Sequence, residues 1–518
     1  MSKQPDGNTL RERLNAPVRL GFLNRGPGTT VDKIAFCALA AFFLFPVVLA
    51  LLTMRHFSFD RMIDESMAML DWGIFPFVTL CAALAYVLTL RQMRREKRSP
   101  LAELRENPTL ILFALLLVWM CVNFFILHPV PGGLFNGLML RHESFSLILE
   151  YYLGFFALGM ALRDERLKLW LLRGLTGVSV FLVPCAFFLR LHLTTELYSD
   201  WRPTLDAIFT NPNYYGYFLS VVVGLCAGLF AAEERPRWCV FYAFALALNA
   251  VALGFNGTRG AWIGASFACL FLVIACRVRD GRFQRRSLIA LGIFLVALSV
   301  TTYYGNASRA IRLVEDVQTV MRDPSFESAA HVGGGRWRIW IRCLEILRDN
   351  ALFGIGFEGL YVWALDEYAT NTRPHNEFLQ YALFYGIPAG ILYIAGCTSV
   401  YLRAVRRRAR LDGLTLAALA GAFGYLIGSF FGVTVYNTAP FLFIMLGLGY
   451  VHADAKPIPA HADAVSAPAD AAAVSAHADA VSAPADADAN AVSSPADAKP
   501  ISAPANKKRA VSRKSRKK

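Results

Sequence analysis

Charge is what this sequence has least of for its length. Only 17% of its 518 residues are charged, against 56% apolar, and the mean hydropathy is +0.42. A soluble domain carries roughly 25% charge. The chain therefore has too little polar surface to cover a water-soluble body of this size. Nine of the ten cysteines lie in or beside apolar stretches, and Cys343 has no partner on its side, so no disulfide framework is expected. No CxxC or His/Cys cluster suggests a metal site, and no Walker sequence suggests an ATP-driven pump. The formal charge is +14, from 52 Lys and Arg against 38 Asp and Glu. In a soluble protein that surplus would point to nucleic acid. In a membrane protein it encodes orientation.

What is present in abundance is apolar sequence. Twelve stretches approach the ~20 residues that span a bilayer. They run near 31–53, 72–90, 109–127, 144–162, 168–190, 214–232, 236–254, 260–276, 287–303, 378–400, 412–434 and 437–451. With the N-terminus inside, the inner segments before the tail carry 27 basic residues and the short outer loops only 6. The positive-inside rule is obeyed along the whole chain. Most of the surplus charge is thus a topology signal, and nucleic acid is excluded as a partner. The expected fold class is an all-α polytopic membrane protein of about twelve transmembrane helices, both termini cytoplasmic, in contact with membrane lipids.

The expected organisation has five parts. Residues 1–30 form a cytoplasmic N-terminal segment, 31–303 hold helices one to nine, and 375–451 hold helices ten to twelve. Between them, 304–374 form a large outer loop with 8 Arg and 9 acidic residues. Residues 452–518 form an inner tail in which HADAVSAPAD occurs at 461–470 and again at 477–486, closing on KKRAVSRKSRKK. Such a tail cannot bury a core and is expected to be disordered.

Four polar motifs sit at the expected outer face. Asn211-Pro212-Asn213, Gly257-Thr258-Arg259-Gly260 and Pro374-His375-Asn376-Glu377 each precede a helix running inward. Gly333-Gly334-Gly335-Arg336-Trp337 opens a helix whose apolar positions Ile339, Trp340, Cys343, Leu344 and Leu347 recur at helical spacing. Helix N-termini favour anions, arginine forks match phosphate oxygens, and glycine lets backbone approach closely. Together these suit a diphosphate. Each also has a plainer reading. Asn211 and Asn213 suit a helix start, Arg259 can snorkel at the interface, Gly333–Gly335 can be a hinge, and His375 can cap a helix. An unperturbed histidine suits proton transfer near neutral pH. Glu150, about two turns into the fourth stretch, is either a partner for an arginine or a bond to a neighbouring helix. Arg141, at the mouth of that stretch, is a further phosphate candidate.

The run RPHNEFLQYALFYGIPAG (373–390) resembles the signature of the O-antigen ligase and O-antigen polymerase superfamily. GGRWRIWIRCLEILRDNALFGIGFEGL (334–360), NPNYYGYFL (211–219) and GTRGAWIG (257–264) resemble three further islands of the same domain, in the same order. The resemblance implies a membrane glycosyltransferase of GT-C-like architecture with a large periplasmic loop. It implies transfer of a glycan from undecaprenyl diphosphate to an acceptor hydroxyl at the periplasmic face of the inner membrane. In that reading His375 takes the acceptor's proton, Arg259 and Arg336 hold the diphosphate, and Asn376, Asn211, Asn213, Arg141 and Glu150 support them. Neither a metal nor a cofactor is expected.

The His-Asn motif in a late loop, with arginines upstream, favours an O-antigen ligase acting on a lipid A–core acceptor. An O-antigen polymerase and a protein O-oligosaccharyltransferase would use the same carrier-linked donor. A transporter of lipid-linked sugars would share the spans, but the sequence carries no paired broken-helix pattern.

Overall fold

The computed structural model describes residues 28–130, 132–135, 143–194, 205–206, 208–275, 281–323, 332–360, 373–408, 411–433 and 435–452. All lie in the first of two compact units, Met1–Ala460. The second unit, His461–Lys518, and with it the repeat tail, lies outside the described residues.

Among the described residues there is no β-strand, only one isolated bridge between Ser58 and Thr194. Among the described residues, nine helices are long and apolar enough to cross a membrane. We label them with the other main helices in chain order: α1 (Thr30–Thr53), α2 (Phe59–Arg95), α3 (Pro108–Leu127), α4 (Phe145–Ala161), α5 (Glu165–His192), α6 (Pro212–Ala232), α7 (Pro236–Asn256) and α8 (Arg259–Ala275). Then follow α9 (Gly281–Arg322), α10 (Arg336–Asp349), α11 (Glu377–Tyr385), α12 (Ile387–Arg406), α13 (Gly413–Phe431) and α14 (Ala439–Leu448). The apolar helices α4, α8 and α14 are shorter than the nine. Each of the twelve apolar stretches coincides with one of these helices or a pair of them. The protein is an all-α polytopic membrane protein.

The centre of the bundle is α6, whose apolar window is wholly buried, packed against α13. Small residues let these backbones meet, as expected where no water drives helices together. A Cβ at Gly224 would lie 2.6 Å from Ala420 O, and one at Gly228 would lie 2.5 Å from Ala417 Cα. Helix α14 is buried along its length against α4 and α13.

Two elements depart from the spacing expected from sequence. The stretch 378–400 is two helices, because Gly386 adopts φ +89° and Pro388 starts α12 afresh. A Cβ on Gly386 would collide with Leu352 O, since residues 351–356 are laid against the break. Ile355 N–H and Gly356 N–H donate to Leu383 O and Phe384 O, both at 2.9 Å, and Ile387 N–H to Ala351 O at 2.8 Å. The first two bonds satisfy carbonyls that the end of α11 would leave orphaned. The second departure is α9, which runs well past residue 303 and bends at Asn306 (φ −147°, ψ 34°). Asn306 Nδ2 donates to Gly254 O and Phe255 O at 2.8 and 2.9 Å, so the bend is pinned to the end of α7.

Candidate active site

The bend in α9 carries its second half across the start of α8. Helix α7 ends on Gly257, whose φ of +76° is a left-handed cap. Arg309 Nη1 donates to Asn256 O at 3.3 Å and Gly257 O at 3.1 Å, closing that end. Two turns further along α9, Asp316 Oδ2 accepts from Arg259 Nη1 at 2.6 Å. The same oxygen accepts from Gly333 N–H at 3.1 Å, and Gly333 O in turn accepts from Arg336 Nη1 at 3.3 Å. Arg259 Nη2 stands 4.0 Å from where a Cβ on Gly334 would lie. The two arginines therefore meet the same triglycine turn.

That turn requires glycine. Gly333, Gly334 and Gly335 have φ of +68°, +71° and +81°, a conformation that side chains oppose. Gly335 is the N-cap of α10 and brings no side chain to cap it. The first N–H groups of α10 therefore lack the usual side-chain acceptor, beside two guanidinium groups. This arrangement favours an anion. Asp316 holds part of the charge of Arg259 in the meantime.

Helix α10 also reaches the histidine. Trp340 Nε1 donates to Pro374 O at 2.9 Å, one residue before His375. His375 itself adopts φ +51°, in the left-handed region that non-glycine residues rarely visit. Such strain persists only where the surroundings over-determine it, and here they do. On one side, Arg373 is 1% exposed and its guanidinium binds Glu143 Oε2 at 2.5 Å and also Glu358 Oε1. Tyr151 Oη–H donates to the other Glu143 oxygen at 2.5 Å. Burial pushes the Glu143 carboxyl up, with Arg373 pulling it back. Burial opposes the Arg373 charge too, but the two carboxylates outweigh it and hold the guanidinium protonated. On the other side, Asn376 caps α11, accepting from Leu379 N–H at 3.0 Å. Glu377 is fully buried and accepts from Tyr393 Oη–H. Burial pushes its carboxyl up to about 7, against the hydrogen bond from Tyr393 that lowers it.

The other candidates fall in three places. Asn211 caps α6 by accepting from Asn213 N–H at 2.8 Å. Its turn is stitched to the Gly257–Gly260 motif, because Asn256 Nδ2 and Thr258 Oγ1 donate to Pro212 O at 2.8 and 3.0 Å. Asn211, Asn213 and Arg259 thus share one end of the bundle. Glu150 stands apart, accepting from Thr79 Oγ1 of α2 at 2.9 Å. It lines a cavity of about 960 Å³ that includes Trp72, Tyr86 and Ser144. Arg141 lies outside the described residues. Among the described residues, no three His, Cys, Asp or Glu side chains are grouped to hold a metal ion.

Sequence reading missed Asp316 and the Arg373–Glu143–Glu358 cluster. Arg373 lay inside the quoted motif, and a signal was available. An arginine preceding a helix in so apolar a chain needs a counter-charge, and Glu143 opens the fourth apolar stretch.

These features belong to an all-α polytopic membrane protein in which a cationic helix N-terminus is tied to a buttressed histidine. Residues 244–394 match the family model described as O-antigen ligase, so this stretch of the chain is similar to the O-antigen ligase and polymerase superfamily. The matched region takes in Arg259, the triglycine turn, α10 and His375, and leaves Asn211, Glu143 and Glu150 outside it. No curated protein matches the chain. Members of this family are glycosyltransferase-like enzymes.

Proposed function

We propose that the protein is an O-antigen ligase. It moves O-antigen polysaccharide from undecaprenyl diphosphate to a hydroxyl of lipid A–core at the periplasmic face of the inner membrane. The observation that carries this reading is the chain of bonds from Arg259 through Asp316 and Gly333 to Arg336, continued by Trp340 to the carbonyl before His375. It couples an anion-favouring helix terminus to a histidine within the family's matched stretch.

In this mechanism His375 accepts the proton of the acceptor hydroxyl as its oxygen attacks the anomeric carbon. The glycosyl–oxygen bond to the diphosphate breaks, and the electron pair leaves with the diphosphate. Arg259, Arg336 and the positive N-terminal end of α10 stabilise that growing charge. Attack opposite the leaving group inverts the anomeric centre. Asn376 and Asn211 act as caps that fix the histidine-bearing and Arg259-facing turns, and Asn213 completes the second. Twelve crossings with both termini inside set His375 in the periplasm. Arg141 is a further phosphate contact, and Glu150 braces α4 against α2.

The reading is tested by deleting the gene and running lipopolysaccharide on a gel beside extracted carrier lipid. Uncapped core with long polymer still on the carrier is the expected outcome. Core bearing a single repeat would make the protein a polymerase. A normal ladder with an unglycosylated protein would make it an oligosaccharyltransferase.

A further inference from the structure

The cavity of about 960 Å³ between α2 and α4 takes no part in the mechanism above. It begins at the end of the bundle that carries His375. Ser144, in its wall, caps α4 and directly follows Glu143, which holds Arg373. Phe135 stands at the same mouth, because Phe145 N–H and Ser146 N–H donate to Gly133 O and Leu134 O at 2.9 and 3.0 Å. The two helices run side by side from there, with Thr79 bonded to Glu150 and Tyr86 Oη–H donating to Leu153 O at 3.0 Å. Along α2 the lining extends from Trp72 to Tyr86, a rise of about 21 Å. That exceeds one leaflet of a hydrocarbon core about 30 Å thick. The long side is open, since Leu80 is 67% exposed and Leu153 47%, so in a membrane a lipid chain enters it directly.

Glu150 sits in this cavity with half of its carboxyl in use. Oε1 accepts from Thr79 Oγ1 at 2.9 Å, and among the described residues nothing is bonded to Oε2. The backbone makes room for that side chain. A Cβ on Gly154 would lie 2.8 Å from Glu150 Cγ, so only glycine lets the carboxyl lie along this wall. Both walls also carry a π-helical turn, Leu70–Ile74 in α2 and Tyr151–Phe156 in α4. Such turns are frequent at functional sites. A carboxyl within the membrane is costly unless it is partnered. A polyprenyl chain has no polar group to meet Oε2, and a phosphate would bring a second negative charge to it. A hydroxyl on an acyl chain both donates and accepts, so it pairs with this carboxyl in either protonation state.

We propose that this cavity seats a β-hydroxyacyl chain of the acceptor lipid. The chain hydroxyl bonds Glu150 Oε2, and the hydrocarbon runs along Leu80, Leu153 and Tyr86. This rests on the reading of lipid A–core as the acceptor, because lipid A is an amino-sugar lipid that carries such chains. Glu150 then has two tasks, one for each oxygen: Oε1 braces α4 against α2, and Oε2 reads the chain.

The test uses the full chain in detergent without donor, with retained lipid counted by native mass spectrometry. The probe is a glucosamine phosphate lipid bearing β-hydroxymyristoyl chains, mixed equally with its myristoyl analogue. The wild type should retain the hydroxylated lipid over the analogue by about fivefold, the ratio of one hydrogen bond. Glu150→Ala should bring that ratio close to one. Thr79→Val removes only the bond to Oε1 and should keep the preference. Ala83→Trp, at an exposed position of the wall, fills the cavity and should lower retention of both lipids. The proposal is overturned if the wild type shows no preference or if Glu150→Ala keeps it. Equal loss in Thr79→Val would overturn it too, by making Glu150 a brace alone. So would undiminished retention in Ala83→Trp, or displacement of the lipid by excess polyprenyl phosphate, which would give the cavity to the donor's chain. No transfer is measured, so this binding can fail while the ligase reading stands. The lipopolysaccharide gel can refute that reading while the hydroxyl preference remains.

Discussion

The indole Nε1 of Trp340 donates to the carbonyl oxygen of Pro374 at 2.9 Å. Through that bond the helix that begins at Arg336 and the turn that holds His375 become one unit. Trp340→Phe keeps the ring against Phe431 and removes only the donor. One lost hydrogen bond is about 0.5–1.5 kcal/mol, so glycan transfer should fall about threefold to tenfold with the melting temperature nearly unchanged. A steady-state transfer assay beside a thermal unfolding scan checks this.

The buried Arg373 cluster is the strut under the histidine. Arg373→Met leaves Glu143 and Glu358 buried without their counter-charge, which should destabilise the protein by about 3–5 kcal/mol. Adding Glu143→Gln and Glu358→Gln to that variant should recover much of the loss. Thermal unfolding in detergent distinguishes the two, and equal destabilisation in the triple variant would contradict the pairing.

Asp316 competes with any anion for Arg259, and the pair is 20% and 23% exposed. Asp316→Asn keeps an acceptor for Gly333 N–H but removes the charge. Donor affinity should rise, by up to about fivefold for a pair this accessible. Isothermal titration with a polyprenyl diphosphate reads it directly.

Glu377 gives a pH signature. Its carboxyl is pushed from 4.5 to about 7 by burial, so the folded protein keeps a proton that the unfolded chain has released in that window. Stability carried by this group is therefore present below pH 4.5 and lost as pH rises toward 7. Relative to Glu377→Gln, the wild type should lose stability across that range, by at most about 1.4 kcal/mol per pH unit. Paired melting curves at several pH values measure the difference.

These residues also mark what sequence could and could not reveal. The helices were legible, because runs of apolar residues near bilayer length have few other uses. The glycines of 333–335 and the histidine motif were legible as a set, since each stands at a helix start. The break at Gly386 was not, because its cause is a loop thirty residues upstream that lies across it. Asp316 was hidden for a similar reason. Only the bend at Asn306 brings it to Arg259, and a bend in a helix leaves little trace in composition. Asn211 carried two readings in the sequence, and it is found in a cap.

The central claim is that His375 takes the proton while the arginines hold the leaving diphosphate. It is tested by measuring, on one preparation of His375→Ala, both transfer to purified lipid A–core and affinity for the carrier-linked donor. The account predicts transfer lowered by at least about a hundredfold, as for a lost general base, with donor affinity within about twofold of wild type. Transfer near the wild-type rate would contradict it.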